Sequence, residues 1–273
     1  MRLLIALVVL ASAACAPSAP APSALHDAPQ RIVSLDYCAD QYVLKLADRN
    51  QIAALSPDAT ADFSYMRAAA EGVASVRPTT EDVLIVRPDL VVRAYGGGPG
   101  AAAALQRAGV AVAQLDYVDD VEGVRANVRA MARALGHPAR GETLVAQMDA
   151  RLAAIAAAAG QPLALYATPS GVTSGDGTLI QNVLTLAGMR NYVESRGWSP
   201  LPLEQIAYRR PDVIAWAAFR AEGAETDLWS AARHPVMRTA LAESAVAPLD
   251  GAWTACGGWF LIDAIEALAA AAR

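Results

Sequence analysis

Short apolar runs alternate with stretches of helical periodicity from residue 31 onward. Residues 31–35 (RIVSL) and 163–166 (LALY) read as the opening strands of two halves. The apolar stretches 110–113 and 245–248 read as further buried strands, each preceded by a helical segment. Strands alternating with helices, with no hairpin signals between them, imply α/β layers built on parallel sheets. Between the halves, Leu144, Val145, Met148, Leu152 and Ile155 recur at helical spacing. Pro138 suits a first helical turn and Gly160 a C-terminal cap, so the pattern predicts one helix over 138–159. A helix of that length reaches about 33 Å, the span of a small domain.

The two halves share a repeated segment. Residues 81–92 read EDVLIVRPDLVV and residues 204–215 read EQIAYRRPDVIA. Glu81, Arg87, Pro88 and Asp89 match Glu204, Arg210, Pro211 and Asp212 at one offset of 123 positions (204 against 81, 212 against 89). In both copies Glu opens a short helix where the dipole favours negative charge, and Arg closes it where positive charge is favoured. Proline then forbids continuation, and an apolar β-branched strand follows. The expected organisation is an N-terminal α/β lobe over 31–135, a linking helix over 136–160 and a C-terminal α/β lobe over 161–273.

What precedes residue 31 has a different character. Arg2, the apolar run Leu3–Leu10 and the small residues Ala11–Ala14 describe a secretory signal peptide over 1–15. The run is too short to span a bilayer, which takes about 20 apolar residues. Ser12-Ala13-Ala14-Cys15 resembles a bacterial lipoprotein box, so lipidation of Cys15 and plain cleavage both stand as endings. Residues 16–30 (APSAPAPSALHDAPQ) form a Pro/Ala/Ser tether, semi-extended and unable to build a core. Export to an oxidising compartment allows Cys38 and Cys256 to form a disulfide, with two small buried thiols as the alternative.

The 273 residues carry 22 Lys+Arg against 27 Asp+Glu, a formal net charge of −5. A nucleic-acid partner would call for a basic excess. Gly96-Gly97-Gly98-Pro99-Gly100-Ala101 follows a strand and fits the dinucleotide (NAD) fingerprint G-x-G-x-x-A, with Asp116 placed as its ribose carboxylate would be. An exported protein meets no ordinary pool of that cofactor, so the glycines read as a tight strand-to-helix turn. His26, His137 and His234 form no metal-ligand spacing. Gly171-Val172-Thr173-Ser174-Gly175 lacks nucleophile-elbow spacing. Asp119 and Asp120 read as a solvated helix start. No nucleophile, base and oxyanion set assembles, which points to binding rather than turnover, with no resident cofactor and no metal held directly.

In open α/β lobes, ligands settle beyond the carboxyl ends of the strands. Those ends carry Asp36-Tyr37-Cys38, Tyr95 with the glycine loop, the turn 168–177, and Trp253 to Cys256. The tryptophans gather in the second half, from Trp198 to Trp259. Tyr37, Tyr95, Trp198 and Trp253 offer large flat apolar faces with a polar edge, suited to a bulky or planar ligand.

RIVSL at 31–35, the E-x-x-x-x-x-[RK]-P-D-L-V segment at 81–91, TSG at 173–175, QNVLTLAGMRN at 181–191 and EQIAYRRPDVI at 204–214 together resemble the periplasmic substrate-binding proteins for vitamin B12 and ferric siderophores. The resemblance covers nearly the whole mature chain. It implies the class III fold: two Rossmann-like lobes bridged by one long helix, with ligand in the cleft and little lobe movement. It also implies a monomeric carrier that hands a corrinoid, ferric siderophore or haem to the permease and ATPase of an ABC importer, touching the membrane otherwise only through a lipid. In the family's B12 binders a glutamate on each lobe docks onto permease arginines, and Glu81 and Glu204 match those positions. Trp198 and Trp253 fall where such binders place cleft aromatics, whereas Ser75 and Ala94 occupy the matching first-lobe positions. Arg93 is the candidate cleft arginine for an anionic siderophore. A direct metal-ion carrier of related fold and an exported α/β enzyme are the competing readings.

Overall fold

The computed structural model describes residues 28–156, 160–218 and 230–272. The expected signal peptide, Cys15, His26 and most of the expected tether lie outside the described residues. The first lobe runs β1 (Ile32–Ser34), α1 (Tyr37–Leu46), β2 (Ile52–Ala54), α2 (Arg67–Ala70), α3 (Thr80–Val86), β3 (Leu90–Arg93), α4 (Ala101–Arg107), β4 (Ala111–Gln114) and α5 (Val121–Ala134). Helix α6 (Pro138–Ala154) links it to the second lobe. That lobe runs β5 (Leu163–Ala167), β6 (Val172–Ser174), α7 (Leu179–Leu186), β7 (Arg190–Asn191), β8 (Trp198–Pro200), α8 (Leu203–Tyr208), β9 (Val213–Ala218), α9 (Pro235–Glu243), β10 (Ala245–Asp250) and α10 (Leu261–Ala271).

Each lobe is wound on a four-stranded parallel sheet, β2-β1-β3-β4 in the first and β7-β5-β9-β10 in the second. The strands that follow the repeated segment, β3 and β9, hold the same place in both. The repeat's aspartates secure that place. Asp89 accepts backbone N–H bonds from Gln30 (2.7 Å) and Arg31 (3.0 Å) at the entry to β1. Asp212 accepts one from Leu163 (2.8 Å), the first residue of β5. Arg87 ends α3 in the left-handed region (φ 52°), and its carbonyl accepts from Arg31 Nε at 3.1 Å. In the second copy the helix ends at an extended Arg209, and Arg210 pairs with Glu243 instead.

Three expectations are corrected. The linking helix stops at Ala154, because Ile155 turns extended (ψ 117°) and lays its side chain against the core. The outer strands β4 and β10 are edge strands with half their residues in solvent, not buried runs. And the expected turn 168–177 contains a strand, β6, which pairs antiparallel with β8 and sets Trp198 opposite Ser174, outside the parallel pattern. The long segment joining those two strands explains why no hairpin signal marks them.

The lobes are joined by more than α6. One continuous core contains α1 and α5 residues of the first lobe together with Trp259, Phe260 and α10 of the second. Tyr65 stacks on Phe260 (centroids 4.6 Å apart) and donates to Asp263 at 2.8 Å, while Tyr42 donates to the Gly257 carbonyl at 2.7 Å. Arg151 of α6 pairs with Asp263 (2.6 Å) and Glu266 (2.7 Å) on α10. A buried seam of this kind resists a wide hinge opening, because opening it would expose apolar surface and unpaired polar groups.

Asp40 is fully buried in the first turn of α1, where it accepts from Ser56 Oγ (2.6 Å) and Ser56 N (3.1 Å). Burial pushes its carboxyl up from 3.8 to about 6, the serine bonds opposing and Asp36 adding to the rise. The folded carboxyl therefore holds its proton more tightly than the unfolded one. Its contribution is fully favourable below the unfolded value and is lost as pH rises through about 6. Between about pH 4 and pH 7 it should cost on the order of 3 kcal/mol. Asp40→Asn, which keeps the shape, should flatten that part of the profile, as urea unfolding of both proteins across this range would show. Equal pH slopes for the two would contradict the assignment.

Candidate functional site

The site is built where the carboxyl ends of β1 and β3 meet the start of α1. Asp36 caps α1, accepting from Ala39 N at 2.9 Å through one oxygen. Its other oxygen accepts from the backbone N–H groups of Ala94 (2.7 Å), Tyr95 (3.1 Å) and Gly96 (2.9 Å). One buried carboxylate thus occupies the N–H groups at the head of the glycine loop. That fits the reading of the glycines as a strand-to-helix turn fixed by the chain's own carboxylate. Asp116 is exposed, and its backbone is tied to Asn127. Gly96 is required here, because a Cβ would come within 2.3 Å of the Leu35 carbonyl oxygen.

This clamp sets Tyr37 beside Tyr95, ring centroids 6.1 Å apart and edge to face. Phe63 packs on Tyr37 at 4.7 Å. The Tyr37 hydroxyl donates across the gap to the Ala255 carbonyl (3.3 Å). Burial raises the Tyr37 phenol above its ordinary value. Tyr95 is raised too, by burial and then by Tyr37 and Asp36 beside it. Both are therefore neutral at physiological pH and present hydroxyls, not phenolates.

The second lobe supplies the facing wall. Trp198, on β8, meets the ring of Tyr166 at 5.9 Å. Tyr166 lies at the end of β5 and shares a 3.0 Å hydrogen bond with Thr254; burial pushes its phenol up to about 12. Two cavities open between the walls. One, of about 370 Å³, is lined by Tyr95, Leu115 and Tyr117 of the first lobe and Leu179, Ile180 and Trp198 of the second. The other, of about 340 Å³, lies among Tyr37, Phe63, Tyr166 and Trp198. They share Trp198, Thr254 and Ala255. Cys38 and Cys256 line the first, joined as a disulfide with Cα atoms 5.6 Å apart, and so tie the lobes together at the cleft.

The cleft is apolar and open. Tyr95, Trp198 and Tyr117 remain 54%, 55% and 84% exposed, although each is a large ring that burial would favour. Among the described residues lining the two cavities, Asp116 is the one ionisable carboxylate, and none is Lys or Arg. Arg93, the candidate anion contact, instead donates to the carbonyls of Tyr95 and Gly98 (3.2 Å each) and braces the glycine loop. A depression of about 440 Å³ elsewhere on the second lobe is lined mostly by polar residues, among them Asp176, Gln181, Arg190 and Glu194, and none of its described lining residues is aromatic.

The structure thus brings Tyr37, Tyr95 and Trp198 to one gap. It leaves Trp253 outside both cavities, half-buried against the core in a 3-10 turn, while its neighbours Thr254 and Ala255 line the gap. Phe63, Tyr117 and Tyr166 were not anticipated. Tyr117 follows β4 and Tyr166 closes β5, so the carboxyl-end rule would have reached both. Phe63 sits in an irregular segment and carries no such signal. Glu81 and Glu204 are not among the residues lining either cavity and stand exposed in the first turns of α3 and α8.

Residues 32–237 match the model of a family described as periplasmic binding protein. A cobalamin-binding protein of Halobacterium salinarum is 27% identical over 200 residues, covering 70% of this chain and 54% of its own length. The chain thus spans about half the length of the curated relatives it matches. A periplasmic heme-binding protein from Pseudomonas aeruginosa superposes with a TM-score of 0.67 at 25% identity, over 89% of this chain and 92% of that one. The periplasmic vitamin B12-binding protein BtuF of Vibrio cholerae superposes with a TM-score of 0.64 at 18% identity, over 89% and 96%. These likenesses bear out the α/β class III fold.

Proposed function

Because the chain belongs to the periplasmic binding protein family, we propose that it is the substrate-binding component of an ABC importer, capturing a bulky metal chelate and delivering it to the inner-membrane permease. Family membership places it in the periplasm. The observation that carries the proposal is the pair of joined aromatic cavities between two like lobes, with Trp198 shared by both. Large rings left in solvent at such a gap are suited to cover the flat face of a corrin or porphyrin. That no Lys or Arg stands among the described lining residues favours such macrocycles over a strongly anionic siderophore. The role is capture, not catalysis. Glu81 and Glu204 are read as the docking contacts to the permease, and lipidation of Cys15 as the anchor that keeps the carrier near it.

Titration with cyanocobalamin, haemin and several ferric siderophores, followed by tryptophan fluorescence, tests the reading. One macrocyclic chelate should quench saturably at one-to-one stoichiometry, with free Zn²⁺ and Mn²⁺ inert. Saturation by a free metal ion alone would favour the direct-carrier reading. Trp198→Ala, which removes a wall common to both cavities, should weaken that chelate by roughly 10- to 100-fold. Trp253→Phe should leave it nearly unchanged. A larger loss from the Trp253 change would misplace the site.

A further inference from the structure

The repeated segment carries more than its glutamates. Val83 and Ile206, related by the same 123-position offset, face inward and are buried at 0% and 3% exposure. Ile85 and Tyr208, again related by that offset, face outward at 77% and 94%. With Tyr117 of the cleft, they are the three most exposed large apolar side chains among the described residues. Each lies four positions after its glutamate, so glutamate and apolar side chain share one helix face. A short surface helix ordinarily turns polar residues outward. A single exception is unremarkable, but here the same exception occurs in both copies, although Ile and Tyr share no sequence identity. Glu81 and Glu204 have no hydrogen-bond or ion-pair partner within the described residues, unlike their neighbours Asp82, paired with Arg77 at 2.9 Å, and Glu243, paired with Arg210.

We infer that Glu81 with Ile85, and Glu204 with Tyr208, form two equivalent knobs, each an anion with an apolar anchor one turn on. Their occupant is the permease dimer, which offers two like sockets of basic rim and apolar floor. The inference rests on the importer reading above and deepens it. Duplication across a pseudo-symmetric fold is what a two-fold partner selects, since each lobe then meets the same surface. The glutamates steer and orient the encounter, and the desolvated anchors hold it.

The full-length chain carrying p-benzoylphenylalanine in place of Ile85, or in place of Tyr208, is expressed in its own host and irradiated. Both positions should capture the same integral-membrane polypeptide, and capture should be lost with Glu81→Lys or Glu204→Lys on the same lobe. The label at Leu186, exposed but outside the duplicated pattern, should capture none. In parallel, Ile85→Ser with Tyr208→Ser should lower chelate uptake roughly tenfold or more, with chelate affinity unchanged. Different polypeptides from the two positions, capture of soluble proteins alone, or unimpaired uptake by the double serine variant would overturn the inference. If that variant transports normally while charge reversal at both glutamates abolishes transport, the apolar anchors fall and docking through the glutamates stands. If charge reversal is also harmless, the docking reading falls with them.

Discussion

Replacing Cys38 and Cys256 by serine is expected to lower the unfolding free energy by about 3–5 kcal/mol. The bond closes a loop of 218 residues, nearly the whole folded chain. Chain-entropy arguments give about 5 kcal/mol for so long a loop, and compact denatured states reduce the figure. The variant should still fold, because Tyr42, Tyr65 and Trp259 keep the lobes in contact through their own bonds and packing. Chelate affinity should fall as well, since the bond joins the two walls at the edge of the larger cavity. Guanidinium unfolding of the two proteins, with the wild type also measured under reductant, gives the comparison. A loss below about 1 kcal/mol would mean that the non-covalent seam alone sets the lobe geometry.

Charge reversal at both Glu81 and Glu204 should reduce import to background while chelate affinity changes by less than about twofold. Both side chains are exposed and have no partner among the described residues, so lysine in their place perturbs neither core nor cleft. Against a basic socket, each reversal replaces attraction by like-charge repulsion, and the partner meets it twice. Single reversals should retain part of the rate, and that part should respond to ionic strength, because exposed charges are screened by salt. Uptake by intact cells and chelate binding by the purified protein separate the two steps. Normal uptake by the double variant would remove the docking role from these residues.

The doubled architecture was legible because its signal is repeated: one Glu…Arg-Pro-Asp segment per lobe, each followed by an apolar strand in the same sheet position. What that reading left unassigned was the aspartate, whose carboxylate pins the neighbouring opening strand, a contact across 58 residues in the first copy and 49 in the second that local pattern does not record. The glycine loop was correctly taken as a turn, but its filling by Asp36 depends on two strand ends meeting in space. The cleft was half legible. Tyr37 and Tyr95 follow strands directly, whereas Trp198 reaches the gap on an antiparallel strand, and Phe63 arrives through the packing of an irregular segment on Tyr37. Trp253 shows the limit of proximity in sequence: adjacent to cavity residues, it turns its ring to the core. Helix α6 ends early for a related reason, since burial of Ile155 outweighs the helical preference of the alanines around it.

The most direct test is to locate the metal. Crystals grown with whichever chelate quenches the tryptophan fluorescence, measured at the cobalt or iron absorption edge, give the ion's position without reference to the protein chain. A single anomalous peak between Tyr95 and Trp198, in the gap shared by the two cavities, is the predicted result. A peak in the polar depression around Asp176 and Arg190, or on the outer surface of either lobe, would contradict the account.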